Sequence, residues 1–228
     1  MEWIIGDIHG CLGELEDLLD RLPPKDRLIF LGDYIDRGPD SYGVVERLLR
    51  EKDRSVFLKG NHEVMMMDYF LNPRDPSGRD WLYWANGGET TLKSYGLRRG
   101  DPYEELPAKH RKFFESLELF YECDSYIAVH AGIRVRKNTD MKLQDPEDLL
   151  WIRSAWINQE SNWSGKKVYY GHTVTSFYYG DEEHARLLEG KNSMGLDTGC
   201  VFGGCLTALN PFDNRVVQIA AHKAYMNV

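Results

Sequence analysis

The amino-acid sequence predicts an α/β fold in which short buried strands alternate with helices. Three observations support this prediction. Apolar runs are followed by a loop and an amphipathic helix, which is typical of layered α/β domains. Five such runs end in Asp, Asn or His beside a glycine. The chain has 228 residues, which is enough for one large domain with a sizeable core.

Strands and helices alternate at the start of the chain. After Cys11, leucines recur at helical spacing until Pro23 and Pro24 end the helix. A second helix opens at Ser41, with valines and leucines on its inner face. The order is strand, helix, strand, helix, strand. The three strands are predicted over residues 2–6, 27–31 and 55–58.

The stretch from about 62 to 120 differs from the rest because it is rich in helical patterns. A methionine run begins at Met65, and we interpret it as core filling rather than as a sticky surface. Pro107 suits the first turn of a further helix. We therefore predict a single domain over residues 1–228 that carries a helical insertion at about 62–120.

The second half continues with strands and a strongly marked helix start. Asp145 and Pro146 combine a cap, a proline and neighbouring acids, so a helix is predicted there that runs through Arg153. The tail is predicted to form short antiparallel strands. Strands are expected over 126–129 and 167–170, and in the tail near 185–189, 194–197, 203–209 and 215–220.

Composition excludes several classes of protein. The formal net charge of −8 argues against a nucleic-acid backbone or an anionic membrane as the main partner. No signal peptide and no apolar run long enough to span a membrane are recognised. The cysteines form no CxxC pair, so we expect reduced thiols in a cytoplasmic protein, and a zinc knuckle lacks supporting ligands. The cysteines are Cys11, Cys123, Cys200 and Cys205.

Polar side chains follow the five predicted strands directly. In α/β folds, binding sites form at the carboxyl ends of strands. Burying so many polar groups without partners would be costly, so a shared ligand is expected. The remaining histidines, at 110, 184 and 222, are interpreted as surface residues. The strand-end residues are Asp7, His9, Asp33, Asp36, Arg37, Asn61, His62, His130 and His172.

A metal centre is the simplest shared ligand. Mixed oxygen and imidazole donors without thiolate suit Mn²⁺, Fe or Zn²⁺ better than Ca²⁺. Two Asp, three His and one Asn are too many for a single catalytic ion with open positions. They suit two ions about 3.5–4 Å apart, a geometry that clamps the attacking and leaving oxygens of phosphoryl transfer.

The segments GDIHG, GDYIDRG and GNHE, followed by VHAG and GH, resemble the phosphoprotein phosphatase family of calcineurin-like metallophosphoesterases. The resemblance runs from Asp7 to about Cys205. Within this family, the chain is most similar to bacterial and bacteriophage lambda-type protein phosphatases and to bacterial diadenosine tetraphosphatases. The features that carry this similarity are its short length and the segments LLWIR and LDTGC. The resemblance implies an α/β (α+β) fold, which is a four-layer αββα sandwich of two mixed β-sheets with a helical insertion.

The resemblance also implies a ligand set for two divalent ions, with Mn²⁺ expected first and Fe or Zn²⁺ as alternatives. A water or hydroxide shared by the ions would attack phosphorus directly, without a covalent intermediate. One carboxylate would bridge both ions. The first ion would be held by Asp7, His9 and Asp33, and the second by Asp33, Asn61, His130 and His172.

Further roles follow from the same resemblance. His62 would be the general acid, Asp36 would orient it, and Arg37 would grip phosphate oxygens together with Asn61. Arg153 in LLWIR matches a second phosphate-binding arginine, although a solvated helix end would explain it equally. Other polar residues are left outside the catalytic set. Glu63 is interpreted as a first-turn helix acid, and Asp197 and Thr198 as lining the cleft.

Three functions remain open from the sequence. The first is hydrolysis of phosphoserine or phosphothreonine, with phosphohistidine or phosphotyrosine as further substrates, and the intact Asp36 favours it. The second is hydrolysis of diadenosine tetraphosphate as a bis(5'-nucleosyl)-tetraphosphatase. The third is a binding module with an inactive site. The expected partner is a phosphorylated protein or peptide, or a dinucleoside polyphosphate, and the expected state is a monomer.

Overall fold

The computed structural model describes residues 1–72, 74, 76–135, 140–179 and 186–226. Two mixed sheets of five strands each form its centre, and the family resemblance implies two such mixed sheets. In the first sheet, the parallel strands β1, β2 and β3 lie beside an antiparallel pair formed by β9 and β10, in the order β10-β9-β1-β2-β3. These strands are β1 (Glu2–Ile5), β2 (Arg27–Phe30), β3 (Ser55–Phe57), β9 (Cys205–Leu209) and β10 (Val216–Ala220).

The second sheet has the order β4-β5-β6-β8-β7. Its central strands β5, β6 and β8 are parallel, and β4 and β7 flank them in the antiparallel direction. The prediction that all tail strands are antiparallel is wrong for β8, which pairs with β6 in parallel. The strands are β4 (Phe120–Glu122), β5 (Tyr126–Val129), β6 (Lys167–Tyr170), β7 (Leu188–Glu189) and β8 (Ser193–Gly195).

Helices cover the outer faces of the sheets and connect their strands. β3 is followed by a helix-rich stretch, α3 to α6, before β4. The helices are α1 (Leu12–Arg21), α2 (Ser41–Leu49), α3 (Asn61–Leu71), α4 (Pro76–Asp80), α5 (Gly88–Ser94), α6 (Ala108–Glu115), α7 (Pro146–Trp151), α8 (Ser154–Ile157) and α9 (Ser176–Tyr179). Short 3₁₀ turns lie at Lys52–Arg54, Tyr103–Glu105, Met141–Leu143, Glu160–Asn162 and Cys200–Phe202.

Three apolar clusters define the layers. Alternate residues of a strand point to opposite faces of its sheet, so Ile4 packs between the two sheets whereas Ile5 packs toward α1 and α2. The cluster between the sheets joins residues such as Ile29 of β2 to Ala128 of β5. A third cluster packs Trp156 of α8 on the outer face of the second sheet. The order of layers is therefore helix, sheet, sheet, helix.

Local sequence signals explain the helix boundaries. The Asp40 side chain accepts a hydrogen bond from the Gly43 backbone N–H at 2.7 Å, which caps α2. Asp145 caps α7, and Pro146 occupies its first turn. Within the described residues, no helix is both long enough and apolar enough to cross a membrane.

The prediction that His110 lies on the surface is wrong. Its side chain in α6 is fully buried, with Nδ1 2.8 Å from the Tyr95 hydroxyl and Nε2 2.8 Å from Glu46 Oε1. Tyr95 directly follows α5 and Glu46 lies in α2, so the sequence around His110 does not reveal these partners. His222 is exposed as expected, and position 184 lies outside the described residues.

Candidate metal and active centre

Loops from both sheets meet at one site. The carboxyl ends of β1, β2 and β3 supply residues from the first sheet, and those of β5 and β6 supply residues from the second. Contacts between the two groups are direct, since the His172 backbone N–H donates to Asp7 Oδ2 at 3.0 Å. Every metal ligand implied by the sequence is buried, with at most 4% exposure. These residues are Asp7, His9, Asp33, Asn61, His130 and His172.

Backbone strain is concentrated at this site. Among the described residues, six that are not glycine have positive φ angles, and five of them are predicted site residues. Such conformations are uncommon for residues with a Cβ and persist only where the surroundings enforce them. The five φ angles are 47° at His9, 50° at Asp33, 73° at Asp36, 66° at Arg37 and 63° at His172.

Two glycines let the carboxylates pack against backbone. A Cβ on Gly60 would lie 2.1 Å from Asp33 Oδ1, and one on Gly171 would lie 2.0 Å from Asp7 Oδ1. Both distances are too short for any side chain. Gly60 of GNHE therefore makes room for Asp33 from the neighbouring strand, and Gly171 of GH makes room for Asp7 from the other sheet.

Asp33 belongs to two groups of potential ligand atoms. Its Oδ2 lies 3.5 Å from His9 Nε2, and its Oδ1 lies 3.5 Å from His130 Nε2. Within each group, one ligand atom per residue lies within 4.8 Å of the others. The carboxylate thus stands between two donor sets, the position that a bridging ligand needs. The groups are His9, Asp33 and His62, and Asp33, His130 and His172.

The donors around His130 fit a cation. Its Nδ1 lies 2.9 Å from the Leu31 carbonyl, so that nitrogen carries the proton and Nε2 is an acceptor. The Nε2 atom faces Asn61 Oδ1 at 2.9 Å and His172 Nδ1 at 3.2 Å, besides Asp33. Several acceptors thus point at one another, an arrangement that a metal ion would stabilise.

His9 presents a similar acceptor nitrogen. Its Nδ1 donates to the Ile35 carbonyl at 2.9 Å, which leaves Nε2 as an acceptor. The Arg37 Nη1 donates to that Nε2 at 2.6 Å. Arg37 and a metal ion would compete for the same lone pair, so metal binding at His9 requires Arg37 to turn away. Arg37 would then be free to meet an anion.

Burial alters the protonation of these groups. It raises the pKa of Asp7, with the nearby Asp197 and Asp33 charges adding to the effect, and raises the pKa of Asp33 to about 7. It lowers the pKa of His130 to about 4. The imidazoles are therefore neutral, the form that binds metals. Arg37 and Arg153 lower the pKa of Asp33 but do not offset its burial, so the buried carboxylates still lack part of the compensating positive charge. Divalent cations would supply that charge.

His62 and Asp36 form a buried pair. His62 Nδ1 lies 2.7 Å from Asp36 Oδ2. Trp81 Nε1 donates to the same carboxylate at 2.8 Å, and the Thr91 hydroxyl donates to it at 2.6 Å. Burial lowers the pKa of His62, and the charge of Arg37 lowers it further. An anion bound at Arg37 would offset this second effect.

Sequence reasoning missed Trp81 and Thr91 as partners of the site. Both belong to the stretch between β3 and β4, the predicted helical insertion, and the sequence assigns neither of them a role at the site. Trp81 is completely buried, and within the described contacts its indole N–H donates only to Asp36. No spacing rule links these positions to Asp36, because the contact forms only through tertiary structure.

Arg37 and Arg153 contact different loops of the candidate site. Arg37 is held by the Ala85 carbonyl, which accepts from its Nε at 3.3 Å. Arg153 is exposed, but its Nη1 donates to the His172 carbonyl at 2.8 Å. Its guanidinium is therefore directed at the loop that carries a predicted metal ligand, rather than only into solvent.

Glu63 has a larger role than a first-turn helix acid. It is fully buried and accepts three backbone N–H bonds, from Asp33 at 3.0 Å, Tyr34 at 2.8 Å and Gly60 at 3.0 Å. It therefore fixes the turn that carries Asp33 as well as the start of α3.

Two other predicted cleft residues differ from one another. Asp197 is buried close enough to Asp7 and Asp33 to affect the pKa of both. The Thr198 hydroxyl bonds to the Cys205 carbonyl and to Thr207 Oγ1, both at 2.6 Å. Thr198 therefore serves the packing of β9 rather than a ligand.

Comparisons with known proteins agree with this geometry. Residues 3–204 match the sequence model described as calcineurin-like phosphoesterase. The chain is 31% identical over 219 residues to "Serine/threonine-protein phosphatase 1" of Salmonella typhimurium, covering 90% of this chain and 89% of that protein. It is 30% identical over 239 residues to "Bis(5'-nucleosyl)-tetraphosphatase PrpE [asymmetrical]" of Bacillus cereus, covering 95% and 92%.

The fold is also found among solved structures. A crystal structure of a candidate diadenosine tetraphosphatase superposes with a TM-score of 0.66. It covers 96% of this chain and 93% of that one, at 23% sequence identity. Similarity at this level supports the shared arrangement of sheets and helices.

Proposed function

Because this chain belongs to the calcineurin-like phosphoesterase family, we propose that it is a metal-dependent phosphoprotein phosphatase acting on phosphoserine and phosphothreonine. The family relationship confirms the resemblance drawn from GDIHG, GDYIDRG and GNHE. The family uses a dinuclear metal centre, and the donor groups around Asp33 fit such a centre. The substrate and the residue roles that follow are our proposal.

Six side chains would hold the two ions, with Asp33 shared between them. When bound, the ions would polarise the phosphate and lower the pKa of the attacking water. The neutral imidazoles of His9, His130 and His172 would supply nitrogen ligands. Asp7 would supply a carboxylate that the His172 backbone N–H already holds in place.

The observation that carries this proposal is the buried His62–Asp36 pair. The alkoxide oxygens of serine and threonine are poor leaving groups, so the departing oxygen must be protonated. His62 is held through Nδ1 by Asp36, which directs its Nε2 toward the space around Asp33, with 3.9 Å between Nε2 and Asp33 Oδ2. From there Nε2 would deliver a proton to the departing oxygen as a general acid.

Arg37 and Arg153 would bind the phosphate oxygens that do not react. Both guanidiniums lie close enough to Asp33 for their charges to lower its pKa. A planar guanidinium can donate two parallel hydrogen bonds to a phosphate. Binding by two arginines would also balance the negative charge of a dianionic monoester.

A specific observation favours a second candidate, hydrolysis of a dinucleoside tetraphosphate. Tyr83 and Trp84 are exposed, and they immediately precede Ala85, whose carbonyl holds Arg37. Phe177 and Tyr178, in α9 after the His172 loop, are also exposed. Exposed aromatic rings can stack on nucleobases. One named relative is a bis(5'-nucleosyl)-tetraphosphatase, so this alternative has independent support.

A two-substrate assay separates the candidates. The full chain, loaded with Mn²⁺, would be assayed against a phosphoserine or phosphothreonine peptide and against diadenosine tetraphosphate. We expect the higher kcat/KM on the peptide. A preference of about a hundredfold or more for the dinucleotide, which corresponds to ~2.7 kcal/mol of transition-state stabilisation, would overturn the phosphatase proposal in favour of the second candidate.

The same assay tests the third possibility, a binding module with an inactive site. p-Nitrophenyl phosphate serves as a general substrate, and metal content is measured on the same sample. Hydrolysis that depends on added Mn²⁺ supports an enzyme. Absence of both bound metal and hydrolysis would contradict the proposal.

A further inference from the structure

A second group of metal-ligating side chains lies outside the active centre. It consists of Cys11, Glu14 and Cys200. One ligand atom from each residue, Sγ or a carboxylate oxygen, lies within 4.8 Å of the other two. The residues are 0%, 0% and 2% exposed, respectively. None of them belongs to the ligand set proposed for the dinuclear centre.

The fold brings these residues together from two segments, the start of α1 and the turn before β9. Cys11 is the N-cap residue of α1, and Glu14 follows three positions later on the same face of the helix. Cys200 begins the 3₁₀ turn that precedes β9, directly after Gly199, which has a φ of 68°. The C-terminal segment covers the group, because the Tyr225 backbone N–H donates to the Val201 carbonyl.

Only one of the two oxygens of the Glu14 carboxylate accepts hydrogen bonds. Its Oε1 accepts hydrogen bonds from the His222 backbone N–H at 2.7 Å and from the Tyr225 hydroxyl at 3.0 Å. Its Oε2 is buried and has no hydrogen-bond partner within the described part of the chain. A buried carboxylate oxygen without a donor is costly. The group therefore contains an unpartnered oxygen beside two sulfur atoms.

Neither thiol donates a hydrogen bond to Glu14 Oε2. Cys11 Sγ donates to the His9 carbonyl at 3.6 Å, which is a weak hydrogen bond. A hydrogen bond with Cys11, and then burial, keep the pKa of the Cys200 thiol well above its usual range. Without a cation the Cys200 thiol therefore remains protonated. A cation would attract all three donors at once.

We propose that Cys11, Glu14 and Cys200 form a separate binding site for one zinc ion. Two thiolates and a carboxylate suit Zn²⁺, whereas Mn²⁺ prefers oxygen and nitrogen donors. Binding replaces both S–H protons by S–Zn bonds and releases two protons to solvent. Three protein donors leave one position of a tetrahedral ion for a small ligand such as water.

The charge of the site suits its position. Two thiolates, one carboxylate and a divalent ion sum to a single negative charge, at the N-terminus of α1, where the helix dipole favours an anion. Cys11 lies two residues after His9. The bound ion would therefore tie the His9 loop to the Cys200 turn, and would act as a structural element behind the catalytic centre.

Cobalt spectroscopy provides the test, because thiolate ligands give Co²⁺ an intense charge-transfer band in the near ultraviolet. The dinuclear centre offers no sulfur, so the band reports on cysteine alone. The metal-free full-length chain is titrated with Co²⁺. We expect the band in the wild type and its loss on addition of Zn²⁺. We expect no such band in Cys11→Ser or Cys200→Ser, and an unchanged band in the controls Cys123→Ser and Cys205→Ser.

A milder variant covers the case in which the serine variants fail to fold. Glu14→Gln keeps both sulfurs and should weaken Co²⁺ binding at this site by at least about tenfold, the lower bound when even an indirect partner of a metal site is removed. Glu16→Gln on the exposed face of α1 is the matched control. The proposal is overturned if the wild type shows no band, if the band survives Cys11→Ser with Cys200→Ser, or if Glu14→Gln binds as tightly as the wild type.

Discussion

His62 Nδ1 and Asp36 Oδ2 lie 2.7 Å apart, and both residues are buried. His62 belongs to the first turn of α3, whereas Asp36 follows β2. The hydrogen bond therefore connects two loops of the candidate site. It also leaves the opposite nitrogen of the imidazole as the only one that can face a substrate, which is the arrangement required of an oriented general acid.

The first prediction concerns His62. We expect His62→Asn to lower kcat by about 10²–10⁴, the usual contribution of general acid–base catalysis. Metal content should stay near normal, because the substitution leaves the six proposed ligands intact. Elemental analysis and steady-state kinetics on the same preparation measure both effects.

Leaving groups provide the control for this prediction. The loss should be larger for phenyl phosphate than for p-nitrophenyl phosphate, whose phenolate leaves readily without a proton. An equal loss on both substrates, or an empty metal centre, would show that His62 has another role.

The second prediction concerns Trp81, which acts through Asp36 as a positioning residue. Trp81→Phe keeps most of the buried ring and removes the N–H that donates to Asp36 at 2.8 Å. A hydrogen bond to a charged group is worth ~1.5–3 kcal/mol, so kcat should fall by about tenfold or more while KM changes little. The exposed neighbour Trp84 supplies the matched control, Trp84→Phe. Equal kcat values in the two variants would contradict this role.

The third prediction concerns the shared carboxylate. Asp33→Asn removes a negative charge that both donor groups use, since its oxygens lie 3.5 Å from His9 Nε2 and 3.5 Å from His130 Nε2. We expect the variant to lose metal from both sites and to be inactive. Asp26→Asn, near the start of β2 and bonded to Trp3, is the control and should retain its metal. Full metal occupancy in Asp33→Asn would rule out the bridging position.

The fourth prediction concerns Glu63, whose carboxylate accepts three backbone N–H bonds. Glu63→Gln turns an amide N–H toward at least one of these donors and leaves it unpaired. The free energy of unfolding should fall by ~1–3 kcal/mol, measured by denaturant titration, and metal affinity should weaken with it. Glu89→Gln is the control, because Glu89 is also a first-turn helix acid but is exposed. A similar change in the free energy of unfolding in both variants would show that Glu63 is no more than an ordinary first-turn acid.

The parts of the fold that were predictable depend on local pattern. The apolar runs that became β1, β2 and β5 are adjacent in sequence to the glycine and the polar residue that end them, so one short window contains both signals. The ligand types follow from the same windows. The family resemblance then added the pairing of Asp36 with His62, which the structure shows as a direct hydrogen bond.

The parts that were missed depend on distant residues. His110 is buried because Tyr95 and Glu46 meet it from other helices. The sequence offers no supporting ligands for a zinc knuckle at Cys200 and Cys205, whereas the fold brings Cys11 and Glu14 close to Cys200. Strand direction in the tail depends on the route of the chain between strands, which apolar periodicity does not encode.

The two sheets hold the candidate site between them, with Asp33 on one side and His130 on the other. Their separation is set by the cluster of side chains packed in the space they enclose, where Ala128 is the smallest member. The thickness of that packing therefore determines how far apart the two halves of the ligand set stand. A larger residue at Ala128 would change the spacing of the proposed metal ligands without touching one of them, so the inner core would help to set the geometry of the proposed metal centre.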